Sequence, residues 1–323
     1  MSIVDPRFNY KPFEYEEAYQ YGNTQRLMPW LASECALTED LLDWKGKLDA
    51  RERAVVAGVL KGFTQSEIII GDYWSNVCKW FPKPEVGDMA KTFSFYEVVH
   101  AEAYNYLSET LGINDFEAFL QDPTAKAKFN SLVDARDQDE QDIARSLAVF
   151  SAFAEGVSLF SSFAVLMRFP AFNKMKGLGT IVEYSSRDEG LHSEAGIWLF
   201  NTYLSEKPHL RTGKLEQDIY EAARTCVKLE EDFIDSIFEG GDLLGLKAND
   251  LKNYIRARAN KKLMELGYKP VIEFDAASAT AISSWFDIFT GAARNHDFFL
   301  TRETNYSRGE SFDPNELEFD FAL

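Results

Sequence analysis

Two stretches decide the fold: Phe93-Ser94-Phe95-Tyr96-Glu97-Val98-Val99-His100-Ala101-Glu102-Ala103-Tyr104 and Ser185-Ser186-Arg187-Asp188-Glu189-Gly190-Leu191-His192. Each contains Glu-x-x-His. On a helix, residues three apart lie on one face, one turn above the other. Glu97 with His100, and Glu189 with His192, are therefore placed to ligate one metal ion or a neighbouring pair. A single such motif means little in a Glu-rich helical chain. Two are more telling here, because together they use half of the four histidines in the sequence.

Di-metal sites in ferritin-like helical bundles take one further Glu from each of two other helices. Candidates are carboxylates in otherwise apolar helix. Glu155 is the one charged residue across 147–167, and Glu67 is followed by Ile68-Ile69-Ile70 with no other acid back to Glu52. An unpaired buried carboxylate is costly or protonated, and a metal ion removes the cost. The ligand order becomes Glu67, Glu97-x-x-His100, Glu155, Glu189-x-x-His192. From Glu67 to Glu97 is 30 residues and from Glu155 to Glu189 is 34, each fitting a helical hairpin that returns to the same depth. His100 to Glu155 is 55 residues, which fits a long crossover carrying short helices near 115–136. Two hairpins joined by one crossover is the ferritin-like arrangement. Carboxylates with only two imidazoles suit iron or manganese better than zinc or copper.

The rest of the pattern is helical. Helix-period stretches run over about 50–80, 88–111, 137–169, 180–206, 214–239, 249–266 and 277–289, with Gly112, Pro170, Pro208, Gly240-Gly241 and Gly267 as stops. Strand signals are scarce, and no repeat or long linker interrupts the chain. The expected fold is all-α, a ferritin-like bundle with extra helices over residues 1–301. Residues 302–323 lose the period and read as a flexible tail.

Composition removes other functions. With 34 Lys+Arg against 52 Asp+Glu the net charge is −18, which argues against a nucleic-acid or anionic-membrane surface. Three cysteines without a CxxC signal neither a disulfide framework nor a zinc site. The N-terminus lacks a secretory signal pattern, and a cytoplasmic location is the simplest expectation. The segment 147–167 is long enough to span a bilayer, but Glu155 sits mid-segment, so a buried bundle helix fits better.

On these residues the chain resembles the small, radical-generating subunit of class I ribonucleotide reductase. The resemblance covers roughly residue 30 to the C-terminus, and Ser186–His192 is its most specific part. It implies that Tyr104, one turn after His100, stands where the family has its radical tyrosine. Asp188 would be the carboxylate that hydrogen-bonds a ligand histidine. Trp30, with Trp44 as the alternative, would join Asp188 and His100 in a radical-transfer route. Tyr306 would relay the oxidant within the tail, and Phe319-Asp320-Phe321-Ala322-Leu323 would dock to the large catalytic subunit.

Two departures bear on the metals. Most members with a stable tyrosyl radical have Asp where this chain has Glu67, and Ser185 replaces a usual Ile. Glu67 together with Tyr104 is similar to the subgroup that uses a dimanganese pair as the oxidant; manganese–iron and di-iron pairs are the alternatives. The resemblance implies a homodimer that starts deoxynucleotide synthesis in its partner. A stand-alone ferritin-like oxidase and a metal-storage bundle are the competing readings. Two divalent ions would formally cancel the four ligand carboxylates.

Overall fold

The computed structural model describes residues 2–114 and 139–289. Among these residues the chain is helical, with no strand beyond an isolated bridge between Leu243 and Leu246. Four long rods form the centre. α3 (Ala50–Trp80) and α4 (Pro84–Leu111) make the first hairpin. The second consists of one continuous rod, α5 (Glu140–Val149), a π-helical stretch (Phe150–Ser158) and α6 (Phe160–Ala171), followed by α7 (Lys176–Glu206). α3 packs along α4, α7 packs along the rod, and α4 meets α7 to join the two hairpins. α1 (Glu16–Arg26) lies against α4 and α7, and α2 (Thr38–Gly46) braces the start of α7. α8 (Gly213–Phe238) and α9 (Ala248–Glu265) cover the outer side of the rod, and α10 (Ala276–Phe289) packs on α9.

Local chemistry sets the helix ends. Asp49 and Glu52 form a reciprocal capping box at the start of α3, satisfying two N–H groups that the helix cannot. Pro84 occupies the first turn of α4, where its missing N–H costs nothing, and Gly112 ends that helix at φ 74°, a left-handed position open to glycine. α7 has no cap of its own, since Met175 is left-handed. Asp40 of α2 substitutes, accepting from the Gly177 and Leu178 N–H groups at 2.8 and 3.0 Å, while Asp43 accepts from Met175 N–H at 2.9 Å.

Several expected boundaries shift by a few residues, and one differs for a structural reason. The third long helix does not stop before Pro170: the proline sits in its last turn, and the helix closes at Ala171. The expected crossover helices near 115–136 and the tail 302–323 lie outside the described residues. Two described helical rods are long and apolar enough to cross a membrane, Ala50–Trp80 and Glu140–Ala171. The most apolar stretch of Glu140–Ala171 is 94% buried, as a bundle core requires. α7 comes close to the rod because Gly196 has no side chain; a Cβ there would lie 2.0 Å from Ser151 Oγ.

Candidate metal centre

The bundle core carries charge where packing alone would put hydrocarbon. Glu67 of α3, Glu97 and His100 of α4, Glu155 of the π-helical stretch, and Glu189 and His192 of α7 are all buried. Their potential ligand atoms form two sets, each within 4.8 Å: Glu67, Glu97, His100 and Glu189, and Glu97, Glu155, Glu189 and His192. Glu97 and Glu189 belong to both sets, the arrangement expected of carboxylates shared by two adjacent cations. His100 Nδ1 lies 3.1 Å from Glu97 Oε2 and 3.1 Å from Glu189 Oε1. His192 Nδ1 lies 2.8 Å from Glu97 Oε1, 3.6 Å from Glu189 Oε2 and 3.9 Å from Glu155 Oε2.

The donor set fits a pair of divalent cations. Both oxygens of Glu67, both of Glu189, Glu97 Oε1 and Glu155 Oε2 are buried without a well-directed hydrogen bond. Such orphaned groups are rare in folded chains and call for a partner. Their electrostatics agree. Burial, reinforced by Glu189 and Glu97, pushes Glu67 well above the usual carboxylate range; burial and Glu189 do the same to Glu155. Burial opposes charge on His192, yet Glu97 and Glu189 raise it to about 9, and His100 is likewise raised by Glu97, Asp188 and Glu189. Burial also works against an ionised Glu189, but the approach of Glu155, His100 and His192 outweighs it and holds the group low. A site that gathers protons to neutralise its own carboxylates is one that divalent cations would neutralise instead.

Around the cluster, Asp188 is the connecting group. Its Oδ2 accepts from Trp30 Nε1–H at 2.7 Å and lies 3.3 Å from His100 Nε2. A proton on Nε2 shared with Asp188 leaves Nδ1 free for a cation, the usual carboxylate–histidine–metal order. Burial would raise Asp188, but His100, Arg187 and Trp30 outweigh it and keep the carboxyl below its ordinary range. Arg187 donates to Asp188 Oδ1 at 3.1 Å. Trp30 is buried and stacks on His100 with centroids 5.7 Å apart and planes at 24°. It is therefore Trp30, and not Trp44, that the fold brings to Asp188. Trp44 lies in α2, where its carbonyl accepts from Arg53.

Tyr104 is fully buried against Phe63, ring centroids 4.7 Å apart, and burial followed by the nearby Glu67 raises its phenol well above the ordinary value. The Ser185 hydroxyl stands beside that of Tyr104, with no well-formed hydrogen bond between them. The tyrosine pocket is thus lined by one polar side chain at Ser185. Tyr306 lies outside the described residues.

Sequence reasoning missed Trp74. Its Nε1–H donates to Glu155 Oε1 at 2.6 Å, and its ring meets His192 edge-on with centroids 6.0 Å apart. A signal was there: Trp74 follows Glu67 by seven residues, two turns along one helix face. The π-helical stretch around Glu155 was also missed, since its residues read as ordinary apolar helix.

The chain matches the family described as "Ribonucleotide reductase, small chain" over residues 7–277. It belongs to that family. A protein of invertebrate iridescent virus 6, named as a probable ribonucleoside-diphosphate reductase small subunit, is 32% identical, covering 95% of this chain and 96% of its own. The ribonucleotide reductase R2 subunit from Clostridium botulinum shares the fold with a TM-score of 0.79 at 19% identity, over 90% of this chain and 94% of that one. The dimanganese(II) form of NrdF from Streptococcus sanguinis does so with a TM-score of 0.74 at 22% identity, over 87% and 98%. The all-α, ferritin-like bundle expected from the two Glu-x-x-His helices is therefore the fold of the molecule.

Proposed function

We propose that this small chain carries a two-ion cofactor on Glu67, Glu97, His100, Glu155, Glu189 and His192, and that it supplies a one-electron oxidant to a separate large catalytic subunit. The reading is carried by one observation: two buried four-residue ligand sets share Glu97 and Glu189 and are joined through His100 and Asp188 to Trp30. The bound metal pair, once oxidised, supplies the redox chemistry. The protein's share is placement. Asp188 holds the imidazole of His100 in the tautomer that leaves Nδ1 for the cation, and accepts the indole N–H of Trp30, so electron and proton movements between them need no rearrangement. The surrounding phenyl and indole rings, with Phe93 4.2 Å from the His192 ring, keep water from the cluster.

The proposal extends to residues that the structure does not describe. Tyr306 would relay the oxidant, and the segment 302–323 would dock to the large subunit. Deleting residues 313–323 tests this. Reductase activity with a cognate large subunit should vanish while the chain still holds two metal ions. A stand-alone oxidase would keep its activity, and a storage bundle would hold far more than two ions.

A dimanganese pair is the favoured cofactor, with manganese–iron and di-iron as the other outcomes of metal quantification. Its support is the conjunction of Glu67 with a retained Tyr104 and the hydroxyl of Ser185 beside it. A homodimer in the cytoplasm completes the proposal. The support for the dimer is apolar surface on α3 and α4, where Ile68, Phe95, Val98 and Tyr106 are exposed at 61, 54, 53 and 41%. Sedimentation of the full chain should give twice the monomer mass, and a monomer would remove this part.

A further inference from the structure

The rod that carries Glu155 changes helical register around that residue. Phe150–Ser158 is π-helical, and every residue in it is buried. A π turn bonds each N–H to the carbonyl five residues back instead of four, so carbonyls where the two ladders meet have capacity to spare. Three carbonyls in this stretch take side-chain donors from three different helices. Ser193 Oγ of α7 donates to Ser151 O at 2.6 Å. Cys226 Sγ of α8 donates to Phe153 O at 3.7 Å. Arg258 Nε–H of α9 donates to Gly156 O.

The last of these is adjacent to the metal centre, since Gly156 directly follows Glu155. Its backbone is gripped closely: a Cβ on Gly156 would lie 2.7 Å from Ser193 Oγ and 2.8 Å from Lys262 Cε. Arg258 is itself fixed. Its guanidinium lies 3.3 Å from the ring centroid of Phe160, at the start of α6, and Nη1 reaches Tyr254 Oη at 3.5 Å. The arginine thus bridges the π-helical stretch and the α-helix that follows it.

We propose that Arg258 is a positioning residue for the metal centre, holding the Gly156 carbonyl in the π register that turns Glu155 toward Glu189 and His192. Reversion of one residue to the α register would rotate the Glu155 side of the rod by about 100°, the angle per residue of an α-helix, and carry its carboxylate away from His192. The first ligand set, Glu67, Glu97, His100 and Glu189, takes no residue from this stretch and would be spared. The effect is therefore selective for one of two ions, which a general loss of stability is not. The inference rests on the proposed metal centre, and its test separates the two.

The full chain and its Arg258→Met and Arg258→Lys variants are dialysed against graded manganese(II), with bound ions counted and electron paramagnetic resonance recorded. The unaltered chain should hold two ions with a spin-coupled signal. Arg258→Met should keep the first ion and lose affinity for the second by about 10–100-fold, the usual effect of removing a group that orients a ligand. Its spectrum should change to that of an isolated ion. Arg258→Lys, which keeps a donor and a charge, should recover part of the second affinity. A folded Arg258→Met that binds both ions like the unaltered chain overturns the inference. If Arg258→Met does not fold, Arg258→Gln carries the same comparison with the same two outcomes. Failure of the unaltered chain to bind two ions would instead refute the metal centre itself.

Discussion

Trp30 and Asp188 are 158 positions apart in the chain, yet the indole N–H of one meets the carboxylate of the other at 2.7 Å, inside the protein. The same oxygen lies 3.3 Å from His100 Nε2. Asp188→Asn keeps the size of this group and removes its charge, so His100 loses the partner that sets its tautomer. Activity with the large subunit should fall by about 10–100-fold or more, the range found when such an orienting carboxylate is lost. Metal content should stay near two ions, because all six ligands remain. Parallel activity and metal analysis check the split; an Asn variant of full activity would remove Asp188 from the route.

Trp74 supports Glu155 from the opposite helix. Trp74→Phe keeps most of the ring and its packing on Phe93, but removes the donor to Glu155 Oε1. A buried acceptor left without its hydrogen bond costs about 1–3 kcal/mol. The metal-free variant should unfold at lower denaturant by that amount. Loading both ions should recover part of the loss if Glu155 is a ligand, because the cation takes up its carboxylate. Denaturant titrations with and without manganese give both numbers, and equal losses in the two states would count against Glu155 as a ligand.

How much of this was legible beforehand follows from where each signal resides. The two Glu-x-x-His motifs are local, and helix period alone fixes their geometry, so the bundle and four of its functional positions, Glu97, His100, Glu189 and His192, could be read directly. Glu67 and Glu155 were found by contrast, as lone acids in apolar helix. Trp30 is different: nothing within its own segment marks it, and only the resemblance selected it over Trp44. The π-helical stretch was not legible because a register shift of one residue leaves no compositional trace. Its carbonyls meet donors from Ser193, Cys226 and Arg258, which are distant in sequence.

Tyr104 offers a test of the cofactor. Its phenol is buried beside Ser185 and packs on Phe63, with Glu67 nearby. If a dimanganese pair is itself the oxidant, Tyr104→Phe should retain activity and its paramagnetic signal within about a factor of two, since removing one hydroxyl that lacks a hydrogen bond leaves the core volume intact. Loss of both activity and radical signal in the variant would reject the dimanganese reading in favour of a tyrosyl radical.

Lys262 gives the last prediction, one of stability and pH. It is an almost fully buried lysine on α9, paired with Glu265 Oε2 at 2.8 Å. Burial is the main reason its ammonium is held below the ordinary lysine value; the pairing with Glu265 only partly offsets this. Between its folded and unfolded values, the unfolded chain holds a proton that the folded chain does not, so wild-type stability rises with pH through that window, on the acid side of the usual lysine range. Lys262→Met fills the same space without charge, and Glu265 is 30% exposed and can turn to water. Replacing a buried ion of this kind by an apolar isostere is often neutral or stabilising, by up to about 1–4 kcal/mol. Lys262→Met should therefore equal or exceed the wild type at pH 7, with any gain shrinking as the pH rises toward 10. Urea unfolding at pH 7 and pH 9.5 measures the two gaps. A variant that is destabilised at pH 7, with a gap that is unchanged or narrower at pH 9.5, would show that Lys262 is held there by a partner stronger than Glu265.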